Sequence, residues 1–167
     1  PAELCRAGER WQWDGVDFAF LHPPVAAYTV DRAKPAKSNH LSCVLRISAG
    51  GRHLLLTGDI EAPDEARLLA ESPGELLADV LLVPHHGAKT SSTPAFIAAV
   101  APLHAVFTVG YRNRFGHPRP EILARYTAHG TRTWRSDRDG TVSVELGASG
   151  ARLSAWREQR RAYWQKQ

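Results

Sequence analysis

The chain contains no methionine, only two cysteines, and no apolar run approaching the ~20 residues that span a bilayer. No segment therefore reads as a membrane span. Two cysteines are too few for a disulfide framework or a zinc ribbon. Cys43, within Ser42-Cys43-Val44-Leu45-Arg46-Ile47, reads as a small buried hydrophobe. A chain that starts at Pro1 and lacks methionine is expected to be a piece of a longer product. No signal peptide, internal repeat or low-complexity segment is visible. What remains is the composition of one globular domain: 167 residues, 43% hydrophobic and 23% charged. With 21 Lys and Arg against 17 Asp and Glu, the net charge of +4 is compatible with a polyanionic partner without requiring one.

Alternation of apolar and polar residues around Asp14-Gly15 predicts a hairpin, with strands over 11–13 and 16–20 and an end at His22-Pro23-Pro24. Residues 25–39, which include Lys34, Pro35 and Lys37, have no period and read as a loop. A second hairpin turns at Gly50-Gly51. The helix predicted over 63–71 has Pro63 at its first position, and Asp64 and Glu65 suit the positive end of its dipole. A buried strand over 78–83 follows, then a helix from Pro94 capped by Thr93. A strand over 105–109 leads to a helix over 119–129 stopped by Gly130. Residues 131–134 and 141–146 frame Asp139-Gly140 as a third hairpin. Residues 153–164 read as a helix with Leu153, Trp156, Tyr163 and Trp164 partly on one face. Hairpins followed by strand–helix alternation predict a mixed α/β fold. The domain is placed over 1–150, with a basic, tryptophan-containing tail over 151–167.

Two of these strands end in chemistry. Leu54-Leu55-Leu56 runs through Thr57-Gly58 into Asp59, and Leu81-Leu82-Val83 runs through Pro84 into His85-His86-Gly87. A strand–helix–strand crossover brings both ends to one edge of the sheet, where α/β proteins place their sites. Carboxylate and imidazole are ligands suited to zinc, manganese or iron. Alone, Asp59 reads equally as a cap for the following helix. Adjacent histidines on an extended segment point to opposite sides, so one of His85 and His86 is expected to face a metal and the other to hold substrate or a neighbour. His117, in Phe115-Gly116-His117-Pro118, is a third candidate, although a loop histidine before proline also reads as structural, as does His22. His40, His53, His104 and His129 read as ordinary. Lys89, Thr90, Ser91 and Ser92, at a helix N-terminus, fit either a phosphate-receiving loop or a plain cap with a solvated lysine.

Several motifs occur in a fixed order: Asn39-His40-Leu41-Ser42-Cys43-Val44-Leu45, Leu55-Leu56-Thr57-Gly58-Asp59, Ala78-Asp79-Val80-Leu81-Leu82-Val83-Pro84-His85-His86-Gly87 and Phe115-Gly116-His117-Pro118. Thr90-Ser91-Ser92 and Ser136-Asp137-Arg138-Asp139-Gly140-Thr141-Val142 fall in register with them. Over residues 13–146 this series resembles the C-terminal metallo-β-lactamase-like domain of ComEC-type competence proteins, the channels of bacterial DNA uptake. The resemblance implies an αββα sandwich with a two-metal site at one edge of its sheets. It implies that Asp59 bridges two zinc or manganese ions, that His85 or His86 is the last histidine ligand, and that Asn39 and Ser42 lie near the site. It implies metal-dependent phosphodiester hydrolysis of the DNA strand that is not imported, in a parent of the bacterial inner membrane whose channel part belongs to the same chain. No small organic cofactor is implied.

One departure qualifies these expectations. The first metal motif of this family has the form His-x-Asp-x-Asp-His, and no such spacing occurs in the 167 residues. Asp137-Arg138-Asp139 is the nearest approach, at the wrong end of the chain. The N-terminal part of the domain is therefore expected to be missing, and the fragment to bind its metals incompletely and catalyse weakly or not at all. Two other readings use the same residues. One is another hydrolase of this fold, acting as a phosphorylcholine esterase or lactonase. The other is a non-catalytic DNA-binding module that contacts phosphates through Arg112, Arg114, Arg119 and the basic tail.

Overall fold

Seven strands lie side by side in the order in which the chain makes them: β1 (Arg10–Trp13), β2 (Val16–His22), β3 (Val44–Ala49), β4 (Arg52–Leu56), β5 (Val80–Leu82), β6 (His104–Phe107) and β7 (Arg132–Arg135). This is a computed structural model, and it describes residues 4–29 and 38–160. The first four strands pair antiparallel and β4 to β7 pair parallel. The switch has a local cause. Asp14-Gly15 and Gly50-Gly51 turn the chain back at once, whereas helices separate the later strands: α1 (Ala62–Glu71), α2 (Pro94–Val100) and α3 (Pro120–Ala128). After the short helix α4 (Ser136–Asp139), β8 (Val142–Gly147) and β9 (Gly150–Ala155) form a separate hairpin, followed by α5 (Trp156–Gln159).

Period-two alternation distributes the core to both faces of the sheet. Leu55, Leu81, Ala105 and Phe107 face Leu68 of α1, Phe96, Ile97 and Val100 of α2, and Ile122 and Tyr126 of α3. The intervening residues Leu54, Val80, Leu82, Val106 and Trp134 pack instead against Val142, Val144, Leu153 and Ala155 of the hairpin. Helices, sheet and hairpin thus make three layers, each large apolar side chain contributing about 1.5–3 kcal/mol when fully buried. The mixed α/β class expected from the pattern is what the chain adopts. Among the described residues, no helix is long and apolar enough to cross a membrane.

Three local expectations are corrected. Cys43 is exposed and disulfide-bonded to Cys5, with Cα atoms 5.8 Å apart. The N-terminal segment is folded back onto the end of β2 by Ala7 N–H to Pro23 O and Gly8 N–H to Phe20 O, both 2.9 Å, and this brings the cysteines together. The third hairpin joins β8 to β9, not residues 131–134 to 141–146. Arg132–Arg135 is the sheet's edge strand, parallel to β6, and Asp139 belongs to α4. Leu153 lies on β9, and among the described residues the tail is helical over Trp156–Gln159. Tyr163 and Trp164, and the Lys34, Pro35 and Lys37 portion of the loop, lie outside the described residues.

Two stability predictions follow from this framework. Replacing both Cys5 and Cys43 with serine frees a loop of sequence separation 38 and is expected to cost about 2–4 kcal/mol, read as a lower denaturant midpoint. His22 is 2% exposed; its Nε2–H donates to His40 O at 3.0 Å and its Nδ1 has no hydrogen-bond partner among the described residues. Burial holds its pKa below the ordinary 6.5 despite the nearby Asp64 carboxylate. The unfolded chain therefore takes up a proton before the folded one does. Stability from this residue is complete above pH 6.5 and is lost as pH falls from there to the folded pKa. Burial also lowers His53, His104 and His117, so the effects add. Melting curves across this range should show a shallower pH slope for His22→Gln than for the unaltered chain; equal slopes would refute the assignment.

Candidate functional site at the sheet rim

The carboxyl ends of β4 and β5 meet at one rim, held there by backbone and hydroxyl contacts. Buried Thr57 donates from Oγ1 to Leu82 O at 2.7 Å, tying the two strands where they end. His85 N–H donates to Gly58 O at 3.0 Å, and Asp59 N–H donates to Ser42 Oγ at 3.1 Å. The crossover thus places Asp59 beside the histidine pair, as its spacing suggested.

The pair itself is not extended. His85 (φ 49°) and His86 (φ 58°) are both left-handed, inside a tight turn closed by Ala88 N–H to His85 O at 2.9 Å. Such backbone strain costs on the order of 1–3 kcal/mol per residue and is characteristic of functional sites. Its effect is to turn both rings toward the rim instead of splitting them between two faces. Their centroids lie 6.5 Å apart, each beside a different carboxylate. His85 Nδ1 is 3.4 Å from Glu61 Oε1, and His86 Nε2 is 3.4 Å from Asp59 Oδ1.

His86 has a defined tautomer. Its Nδ1 lies 2.6 Å from the backbone carbonyl of Thr108, which can only accept, so Nδ1 carries the proton. Its Nε2 then faces a carboxylate oxygen. Two acceptors at 3.4 Å require a proton or a cation between them. The side chains are 45% and 42% exposed, so the pair is open to a ligand. It is nevertheless only a pair. Among the described residues, no three His, Cys, Asp or Glu side chains are grouped to hold a metal ion. These residues do not fit a complete metal centre by themselves.

Other expected residues divide. Asn39 reaches the rim, donating from Nδ2 to Glu61 Oε1 at 3.2 Å. His117 also reaches it, with its ring 6.1 Å from that of His85. Burial, with Arg119 and the two histidines as neighbours, pushes its pKa down, and its buried Nδ1 has no hydrogen-bond partner among the described residues. Lys89 is exposed beside the rim. Ser91 and Ser92 are not available to a substrate. Ser91 is buried and donates to Pro84 O and Ala88 O, and buried Ser92 accepts from Tyr126 Oη at 3.0 Å. Their role is to hold the loop beneath the rim.

The sequence reading missed Glu61 and the support under it. Asp64 accepts from Glu61 N–H at 3.0 Å and from His40 Nδ1 at 2.8 Å, so His40 is not ordinary. A signal was present: the buried side of α1 consists of Asp64, Glu65 and Leu68, which puts two carboxylates on its apolar stripe.

Helices, sheet and hairpin with paired imidazoles and carboxylates at the strand ends define an α/β domain with a polar, ligand-ready rim. No family model matches the chain. Individual relatives do. It is 41% identical over 160 residues to competence protein ComA of Neisseria gonorrhoeae, covering 96% of this chain and 22% of that protein. It is 38% identical over 140 residues to ComE operon protein 3 of Bacillus subtilis, covering 84% and 17% respectively. It is 30% identical over 160 residues to recombination protein 2 of Haemophilus influenzae, covering 92% and 19%. The chain is homologous to one part of these competence proteins of the ComEC family, and it spans about a fifth of their length.

Proposed function

We propose that this chain acts in the DNA uptake of natural transformation, as the later part of a metallo-β-lactamase-like αββα domain of a longer, inner-membrane protein. The activity of that protein is metal-dependent phosphodiester hydrolysis of the DNA strand that is not imported. Support comes from the competence names of the relatives, the helix–sheet–hairpin layering and the rim. One observation carries the reading: His86 Nε2 faces Asp59 Oδ1 at 3.4 Å on an open rim, a gap that a shared proton or a cation bridges.

Asp59 and His86 would supply part of a donor set for zinc or manganese, with His85 beside them; the remainder would come from residues outside these 167. Such an ion supplies Lewis acidity toward a phosphodiester. The chain's own residues position the groups around it. The Thr108 carbonyl fixes the His86 tautomer, Glu61 orients His85, and Asn39 orients Glu61. The Cys5–Cys43 bridge supports a place outside the reducing cytosol.

The test is hydrolysis of labelled DNA by the longer parent protein with added Mn²⁺ or Zn²⁺. Asp59→Asn and His86→Ala are each expected to lower kcat at least about 100-fold, more than loss of an outer partner costs. The 167-residue chain alone is expected to show weak or no metal-dependent cleavage. Unchanged rates in both variants, or robust nuclease activity from the chain alone, would refute the reading. DNA binding that survives chelation without any cleavage would favour the binding module instead.

A further inference from the structure

Between β6 and α3 the chain passes through residues 108–119, a segment with three arginines and no aspartate or glutamate. Its two large aromatic side chains are turned outward: Tyr111 is 72% exposed and Phe115 is 60% exposed. Each carries a guanidinium over its ring, Arg112 at 5.2 Å from the Tyr111 centroid and Arg114 at 5.0 Å from that of Phe115. Phe115 lies nearly parallel to His117, at 14° and 5.9 Å, and His117 is 6.1 Å from His85. The rings therefore step from open solvent to the rim.

The platform is held in place. Asn113 accepts from His117 N–H at 2.9 Å and donates to His117 O at 2.7 Å, closing the loop on itself. Beside it a cavity of about 220 Å³ opens, walled by Phe115, His117, Asn113, Thr108 and His86. That is below the about 300–1,000 Å³ of a drug-sized pocket and suits a single planar ring system. Exposed aromatic faces interleaved with arginines, without acids, match a strand whose bases stack and whose phosphates need cations. Bases within a duplex do not offer their faces, so such a platform discriminates by strandedness.

We infer that the Tyr111–His117 loop seats an unstacked base on Phe115 beside the rim, making this site selective for single-stranded over duplex nucleic acid. The inference rests on the DNA reading of the rim and adds the loop that sets its specificity. Tyr111 takes the neighbouring base, and Arg112 and Arg114 take the flanking phosphates.

The test is fluorescence anisotropy of this chain with a short labelled oligothymidylate and with a duplex of equal length. The single strand is expected to bind at least about 5-fold tighter. Phe115→Ala is expected to weaken single-strand binding by about 5-fold or more, the loss of one stacked base, and to leave duplex binding unchanged. Phe115→Trp, which keeps a ring there, retains the preference. Arg112→Gln and Arg114→Gln weaken both forms and each lower the salt slope by about 1. Thermal melting of each variant confirms folding. If Phe115→Ala has no effect, or weakens both forms equally, the inference falls while the DNA reading stands. If neither form of DNA binds, the DNA reading falls and takes the inference with it.

Discussion

Gly87→Ala is expected to lower the melting temperature by roughly 6–12 °C, from a destabilisation of about 3 kcal/mol. Two effects add at this position. Gly87 has φ +78°, a conformation that costs an L residue about 1–2 kcal/mol. A Cβ there would also sit 2.8 Å from Pro118 Cβ and 2.9 Å from Phe107 Cε1. Phe107 is fully buried against Tyr126 and cannot retreat, so Pro118 must move. Because Pro118 follows His117, the displacement is expected to separate His117 from His85 and disturb the rim as well as the core. Gly51→Ala is the control. Its φ of +74° is nearly the same, but no atom lies within 4 Å of the added carbon, so only the conformational cost of about 1–2 kcal/mol is expected. Equal losses in the two variants would refute the role of the Pro118 contact.

Glu65→Ala is expected to cost about 3 kcal/mol, because it strips the partners from two backbone donors in a largely buried turn. Glu65 is fully buried, and its carboxylate accepts from Ser92 N–H and, at 2.8 Å, from Thr93 N–H. Burial raises its pKa, and the bonds from the Thr93 and Ser92 backbone oppose the rise. Tyr126 donates to Ser92 Oγ, and Arg125 Nη1 donates to Ser92 O at 2.8 Å, so α1, α2 and α3 are joined through this one carboxylate and this one serine. Glu65→Gln keeps one acceptor oxygen and is expected to cost about half as much. Tyr126→Phe, which removes a single bond, should cost about 1 kcal/mol. The ranking Ala, then Gln, then Phe can be read from denaturant midpoints; an Ala variant as stable as the parent would overturn this account of the junction.

Much of the fold was legible because its causes are local. Asp14-Gly15 and Gly50-Gly51 specify their turns, Thr93-Pro94 specifies the start of α2, and the apolar runs at β4 and β5 specify buried strands. Asp59 and the histidine pair were recognisable because a crossover of that length returns two parallel strands to one edge. What was not legible depends on contacts between distant residues. The left-handed turn at His85-His86 leads into Gly87, which sits so close to Phe107 and Pro118 that no side chain fits there, and neither neighbour is near it in sequence. Glu61 matters only because Asn39 and His85 converge on it. The swap of hairpin partners arises because Trp134 fits under Ala155 and Val80, a packing choice that turn signals do not encode. Ser91 and Ser92 looked like ligands for phosphate because a helix N-terminus follows them, and their burial becomes visible only when Tyr126 arrives from α3.

The sheet's strand order has a consequence of another kind. From β1 to β7, each new strand docks on the one completed just before it, and no strand waits for a partner made much later. The closure entropy of each step is that of the single connection between consecutive strands, a tight turn or one crossover, so assembly can run along the chain as a zipper, with Glu65 and Ser92 locking the helices once α3 is in place. During synthesis the growing edge would always be the most recent strand. β7, the last to be laid down, is also the one whose Trp134 the closing hairpin covers.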